Sequence, residues 1–159
     1  MTRPKSTALP FPVRVPFIQQ LGLELHAMGS GHSEWRVDLT DRHHNSRAVA
    51  HGGMVMTLLD VAMATAARGG TSASGATTIE MKTSFMRPAV GAVYAIGKLL
   101  HRTATLVFCE AHLYNANNEL CASATGTFKT LRPAHAPSVH IPSGSAAPAS
   151  STHPHKDST

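Results

Sequence analysis

The chain has 159 residues, 42% hydrophobic and only 14% charged, the composition of one globular domain with a sizeable core. Its formal net charge of +5 would suit a polyanion, but the basic residues are scattered without a run or stripe and aromatic residues make up only 5%. That disfavours a nucleic-acid surface with stacking platforms and leaves room for a small polyanionic ligand, such as a nucleotide-linked acyl group.

In chain order, residues 1–16 are proline-rich and read as a flexible N-terminal arm. They contain no apolar signal core, and no segment is long enough to span a membrane, so a cytoplasmic protein without membrane attachment is expected. "PFIQQLGLE" suggests a helical turn leading into a strand. "LELHAM" and "SEWRVDLT" read as two strands broken at Gly29-Ser30-Gly31, and in the second Trp35, Val37 and Leu39 alternate with polar residues. Residues 41–50 form a polar loop in which His43 and His44 read as solvated. The one long helical pattern covers 52–67, where Val55, Leu58, Leu59, Ala62 and Ala66 make an apolar stripe, and it stops at Arg68-Gly69-Gly70.

Four further strand patterns follow: "TTIEMKTSFMRP", "GAVYAIGKLLHR" with "ATLVFCEAHLY", and "LCASATGTFKTL" after the "NANNE" turn. Strands, one central helix and then a run of antiparallel strands make an α+β domain over residues 17–132. Cys109 and Cys121 show neither CxxC spacing nor a disulfide framework and read as reduced thiols. Beyond 133 the chain is rich in Pro, Ala, Ser and His and reads as a disordered tail. Its His135, His140, His153 and His155 have no acidic or thiol co-ligands at metal-binding spacing.

The helix carries the chemistry. Gly52 and Gly53 open it, where the first N–H groups lack intrahelical acceptors and a ligand can approach the backbone closely. Such an N-terminus accepts an anion or a developing oxyanion. Asp60 lies two turns on, on one face with Gly53, Met56, Thr57, Met63 and Ala64. The two ends of that face are roughly 10 Å apart, too far for one carbonyl to touch both. Two such helices packed antiparallel across a two-fold axis would place Asp60 of one chain beside Gly53 of the other. A solvated Asp on an exposed helix face is the alternative from spacing alone.

Asn45, "HGG" at 51–53 and Asp60, in the pattern N-x5-HGG-x6-D, followed by a strand ending "FMRPA", resemble the hotdog-fold acyl-CoA thioesterases of the PaaI-like, phenylacetate-pathway type. The resemblance covers roughly residues 17–130. It departs in the "SRAVA" stretch before His51, where the family often carries a glycine. It implies a hotdog fold: one long helix wrapped by a curved antiparallel sheet of five to six strands. It further implies dimers with active sites at their interface, pairing into tetramers, and an acyl-CoA substrate split into a carboxylic acid and free CoA.

The resemblance also assigns roles. Asp60 would be the nucleophile or the base activating water, and the Gly53 N–H would polarise the carbonyl. Asn45 would orient water or carbonyl, His51 would shape the pocket, and Thr78 would help hold the attacking water. Gly52, Met56, Thr57 and Met63 are candidates for lining the substrate site, and Lys82, Arg87 and Arg102 for contacting CoA phosphates. A thioester is electrophilic enough for a carboxylate and one preorganised donor, so no metal, cofactor or Ser-His-Asp triad is required. The main rival is a hotdog protein that binds or senses acyl-CoA without turnover, against which the acid at 60 argues. A hotdog hydratase would call for a histidine within the helix, which has none after His51.

Overall fold

A computed structural model describes residues 7–69 and 75–131. The tail expected beyond residue 132 and the first six residues of the arm lie outside the described residues. The elements in order are α1 (Pro16–Gln20), β1 (Glu24–Gly29), β2 (His32–Asp38), a 3-10 turn (Asp41–His43), α2 (Gly52–Arg68), β3 (Gly75–Phe85), β4 (Ala92–Arg102), β5 (Leu106–Asn115) and β6 (Leu120–Leu131). The strands form one six-stranded sheet in the order β1-β2-β4-β5-β6-β3, each neighbouring pair antiparallel. This is the α+β hotdog architecture expected, with α2 meeting all six strands.

The helix is seated by its apolar stripe. Leu58, Leu59, Ala62, Met63 and Ala66 are fully buried together with Trp35, Val107, Leu113 and Phe128 from the strands. Ala62 marks the closest approach. The Ser33 hydroxyl donates to its carbonyl at 2.7 Å, and a Cβ on Gly97 of β4 would lie 2.2 Å from the same oxygen. Only glycine lets β4 pass there. The far end of α2 stops at Gly69, whose N–H bonds Ala66 O, while Arg102 Nη2 donates to Ala67 O at 2.5 Å. A cation on the last carbonyls complements the helix dipole.

Residues 7–15, expected as part of a flexible arm, lie on the fold instead. Leu9 N–H donates to Leu25 O at 2.7 Å, and the Phe11 ring meets Trp35 edge-on, centroids 5.0 Å apart. Proline density removes backbone donors without preventing a segment from docking through its aromatic and β-branched side chains. Cys109 and Cys121 are both free and buried, and burial pushes the Cys109 thiol up to about 11. His43, expected as solvated, is buried because its ring turns back to accept the Thr40 N–H at Nδ1, 2.9 Å away. Burial, with Arg42 beside it, holds the His43 pKa below the usual imidazole value. No helix among the described residues is long and apolar enough to cross a membrane.

Candidate active site

The side of α2 turned away from the core presents Met56, Thr57, Asp60, Val61 and Ala64, all at least partly accessible. Met63 does not join them. It lies on the flank of α2 that the sheet covers, fully buried, with its Cε against Gly126. Its assignment as a substrate contact is therefore corrected. The accessible face floors a cavity of about 600 Å³ that Asp60, Met56, Thr57, Ala64, Thr78 and Met81 help to line.

Asp60 is half-buried at this cavity. Thr78 Oγ1 donates to its Oδ1 at 2.7 Å, and Oδ2 has no protein partner among the described residues. Burial raises the Asp60 pKa above the ordinary carboxylate value, and the Thr78 hydrogen bond offsets part of that rise. A bulge aims Thr78. The β3–β6 register shifts between Thr78 and Glu80, so Ala76 and Thr78 before it and Met81 after it all face the helix. The same shift puts Lys82, exposed and lining none of the described cavities, on the opposite face from Met81. Within one chain Lys82 therefore does not join Asp60 at the cavity. Arg102 sits at the C-terminal end of α2, where Nη2 donates to Ala67 O, and lines none of the described cavities.

The N-terminus of α2 differs from expectation by one residue. His51 is the N-cap, and its Nδ1 accepts the Gly53 N–H at 2.9 Å. The Gly53 amide, expected to face a carbonyl, is therefore satisfied within the chain. The Gly52 N–H, at the first helical position, has no hydrogen-bond partner among the described residues. Gly52 lines a second cavity of about 460 Å³ with Asn45, Arg47, Phe85 and Arg87. Asn45 Oδ1 accepts the Arg47 N–H at 2.8 Å, which leaves the Asn45 Nδ2 donor as its contribution to that cavity. Arg87 lies at the same opening, with Nη1 donating to Leu120 O at 2.9 Å. His51 and Gly53 line a third cavity, of about 410 Å³, together with Thr57.

Within one chain, then, the structure brings Asp60 to Thr78 and, separately, Gly52 to Asn45 and Arg87. The eight residue steps from Gly52 to Asp60 span roughly 12 Å of helix, so the two groups remain apart on the chain. Reading the sequence missed Phe11, Val13, Val15 and Phe17, which wall the larger cavity. Their apolar spacing was the available signal, and the prolines between them concealed it.

A family model of the thioesterase superfamily matches residues 48–122, the stretch holding the HGG step, Asp60 and Thr78. A conserved protein of Pseudomonas aeruginosa has a similar structure, with 28% identity, a TM-score of 0.69 and coverage of 74% of this chain and 95% of that one. The Escherichia coli PaaI protein from the phenylacetic acid degradation operon shares the fold, with a TM-score of 0.68 at 20% identity over 72% of this chain and 83% of that one. A Saccharolobus solfataricus protein described as a candidate esterase is 25% identical over 113 residues, 70% of this chain and 75% of that one. The six-stranded sheet around one helix is the hotdog fold of these structures, and over residues 48–122 the chain is similar to the thioesterase superfamily.

Proposed function

We propose that the protein is an acyl-CoA thioesterase in which Asp60 acts as the general base on water. The observation that carries this reading is the half-buried Asp60 carboxylate, held at one oxygen by Thr78 and left open at the other, at the edge of an apolar cavity of about 600 Å³. A purely structural acid would gain partners at both oxygens or face solvent. The thioesterase family match and the esterase relative support a hydrolase.

In this mechanism Asp60 Oδ2 takes a proton from water as the water oxygen attacks the thioester carbonyl carbon. The carbon–sulfur bond then breaks, the carboxylic acid leaves, and the proton passes from Asp60 to the CoA thiolate. The negative charge on the carbonyl oxygen is met by the Gly52 N–H and the Asn45 Nδ2 of a second copy, since one chain cannot bring both groups to one carbonyl. β3 supports that assembly. It is an edge strand of eleven residues with Ile79 56% exposed, the kind of edge that pairs with a copy of itself. Arg47 and Arg87 beside Gly52 offer cationic partners to the phosphates of CoA.

Release of free thiol from a panel of acyl-CoAs, with Asp60→Asn as control, tests the reading. Hydrolysis that Asp60→Asn abolishes is expected, and hydrolysis that survives the substitution undiminished refutes the role of Asp60.

A further inference from the structure

Beyond Asp60, the cavity is lined by Phe11, Thr65 and Arg68. Trp35 Nε1 donates to Thr65 Oγ1 at 3.1 Å, both side chains buried, so the indole is fixed against α2. The Phe11 ring meets Trp35 edge-on at 5.0 Å and 71°, and the Arg68 guanidinium lies over Phe11 with its carbon 5.6 Å from the ring centroid. Thr65 and Arg68 follow Asp60 along α2, and both line the cavity. The eight residues from Asp60 to Arg68 span roughly 12 Å. Walls between these points are apolar, from Val61, Ala64, Val15 and Met81.

Resting on the thioesterase reading above, we propose that Phe11 sets the depth of the acyl pocket. The acyl group taken is apolar and of medium length: its carbonyl sits at Asp60, its chain runs along the accessible face of α2, and its end abuts Phe11. A cavity of about 600 Å³ with apolar walls wastes its surface on an acetyl group, and the Phe11 ring, braced edge-on by Trp35 and covered by Arg68, limits the room for a long fatty chain. The N-terminal segment is thereby a specificity element laid over the domain. Its one described backbone bond to the sheet is Leu9 to Leu25, so side chains rather than a strand ladder hold it in place.

The test compares the full-length chain with Phe11→Ala and Phe11→Trp, using acetyl-, hexanoyl-, decanoyl- and palmitoyl-CoA in a thiol-release assay. Binding of the same four to an Asp60→Asn background is measured in parallel by calorimetry, and thermal melts confirm that each variant is folded. The wild type is expected to favour hexanoyl or decanoyl over both acetyl and palmitoyl. Phe11→Ala is expected to raise kcat/KM for palmitoyl-CoA by at least about tenfold, mainly through KM, as a filled pocket does when several methylenes gain room. Phe11→Trp shifts the preference to shorter chains. A Phe11→Ala variant that loses activity equally on all four, or a wild type indifferent to chain length, overturns the proposal. If no thioester is hydrolysed while calorimetry still shows the chain-length ranking and its shift in the Phe11 variants, the pocket stands and the thioesterase reading falls. Absence of both sinks the two together.

Discussion

Thr78 on β3 and Asp60 on α2 are joined by a 2.7 Å hydrogen bond across the gap between the sheet edge and the helix, with the hydroxyl donating to the carboxylate. The bond depends on the bulge after Thr78, without which the register of β3 would carry on unshifted past Glu80. It also decides how the acid titrates. Burial favours the protonated form of Asp60, and Thr78 favours the ionised form.

A pH profile reads this balance directly. Asp60 works as an ionised base, so kcat/KM should fall as pH drops through a pKa raised above that of an ordinary aspartate. Thr78→Val deletes the interaction that lowers the pKa, and the acid limb should then move to still higher pH. A limb that stays put or moves to lower pH in this variant would contradict the assignment.

Stability should move opposite to activity at the same residue. The folded pKa of Asp60 is raised, so its contribution favours the fold when the acid is protonated, below the unfolded pKa. That contribution is lost as pH rises through the folded value. Asp60→Asn removes the penalty of the buried charge. At neutral pH the melting temperature should rise by about 2–4 °C while turnover falls by roughly 10²–10⁴-fold. The gain in melting temperature should vanish in acid. Differential scanning calorimetry at two pH values checks it, and a drop in melting temperature at neutral pH would show that Asp60 is structurally required.

Gly52→Pro separates the two amides at the start of α2. His51 before it has φ −60 and ψ 139, a backbone that precedes proline without strain, and proline is favoured at the first helical position. The variant should fold with a near-native circular dichroism spectrum yet lose roughly 10²–10³-fold in kcat, because its only deleted hydrogen-bonding group is the Gly52 N–H. His51→Ala should instead lower stability by about 1 kcal/mol through loss of the cap on Gly53. Equal activity of Gly52→Pro and the wild type would remove Gly52 from the site.

Gly97→Ala tests how α2 is seated. The added methyl would lie 2.2 Å from Ala62 O, a backbone atom that cannot swing aside. We expect destabilisation of about 1–3 kcal/mol or more by denaturant titration, with the Ser33–Ala62 contact disturbed as α2 shifts. A melting curve superimposable on that of the wild type would mean that the helix has room to spare above β4.

Periodicity and punctuation in the chain were enough to locate the six strands and both α-helices, though not the 3-10 turn at Asp41–His43. The 3.6-residue stripe on 52–67, the glycines at 29–31 and the alternation around Trp35 each report a local backbone preference, and such preferences survive into the fold because burial reinforces them. The spacing from Gly53 to Asp60 likewise implies two half-sites, since helical rise is the same in any context. What the pattern could not carry was anything settled by contacts distant in sequence. The inward turn of Met63 depends on which arc of α2 the sheet covers. The aim of Thr78 and the outward turn of Lys82 depend on one unpaired residue in β3, which flips every later side chain. Whether Gly52 or Gly53 keeps a free amide depends on the rotamer of His51, and whether residues 7–15 dock depends on Trp35, which Thr65 holds in place to receive Phe11. Local sequence sets the elements and their spacing. Packing decides which faces are hidden, and with them which donors and acids remain for chemistry.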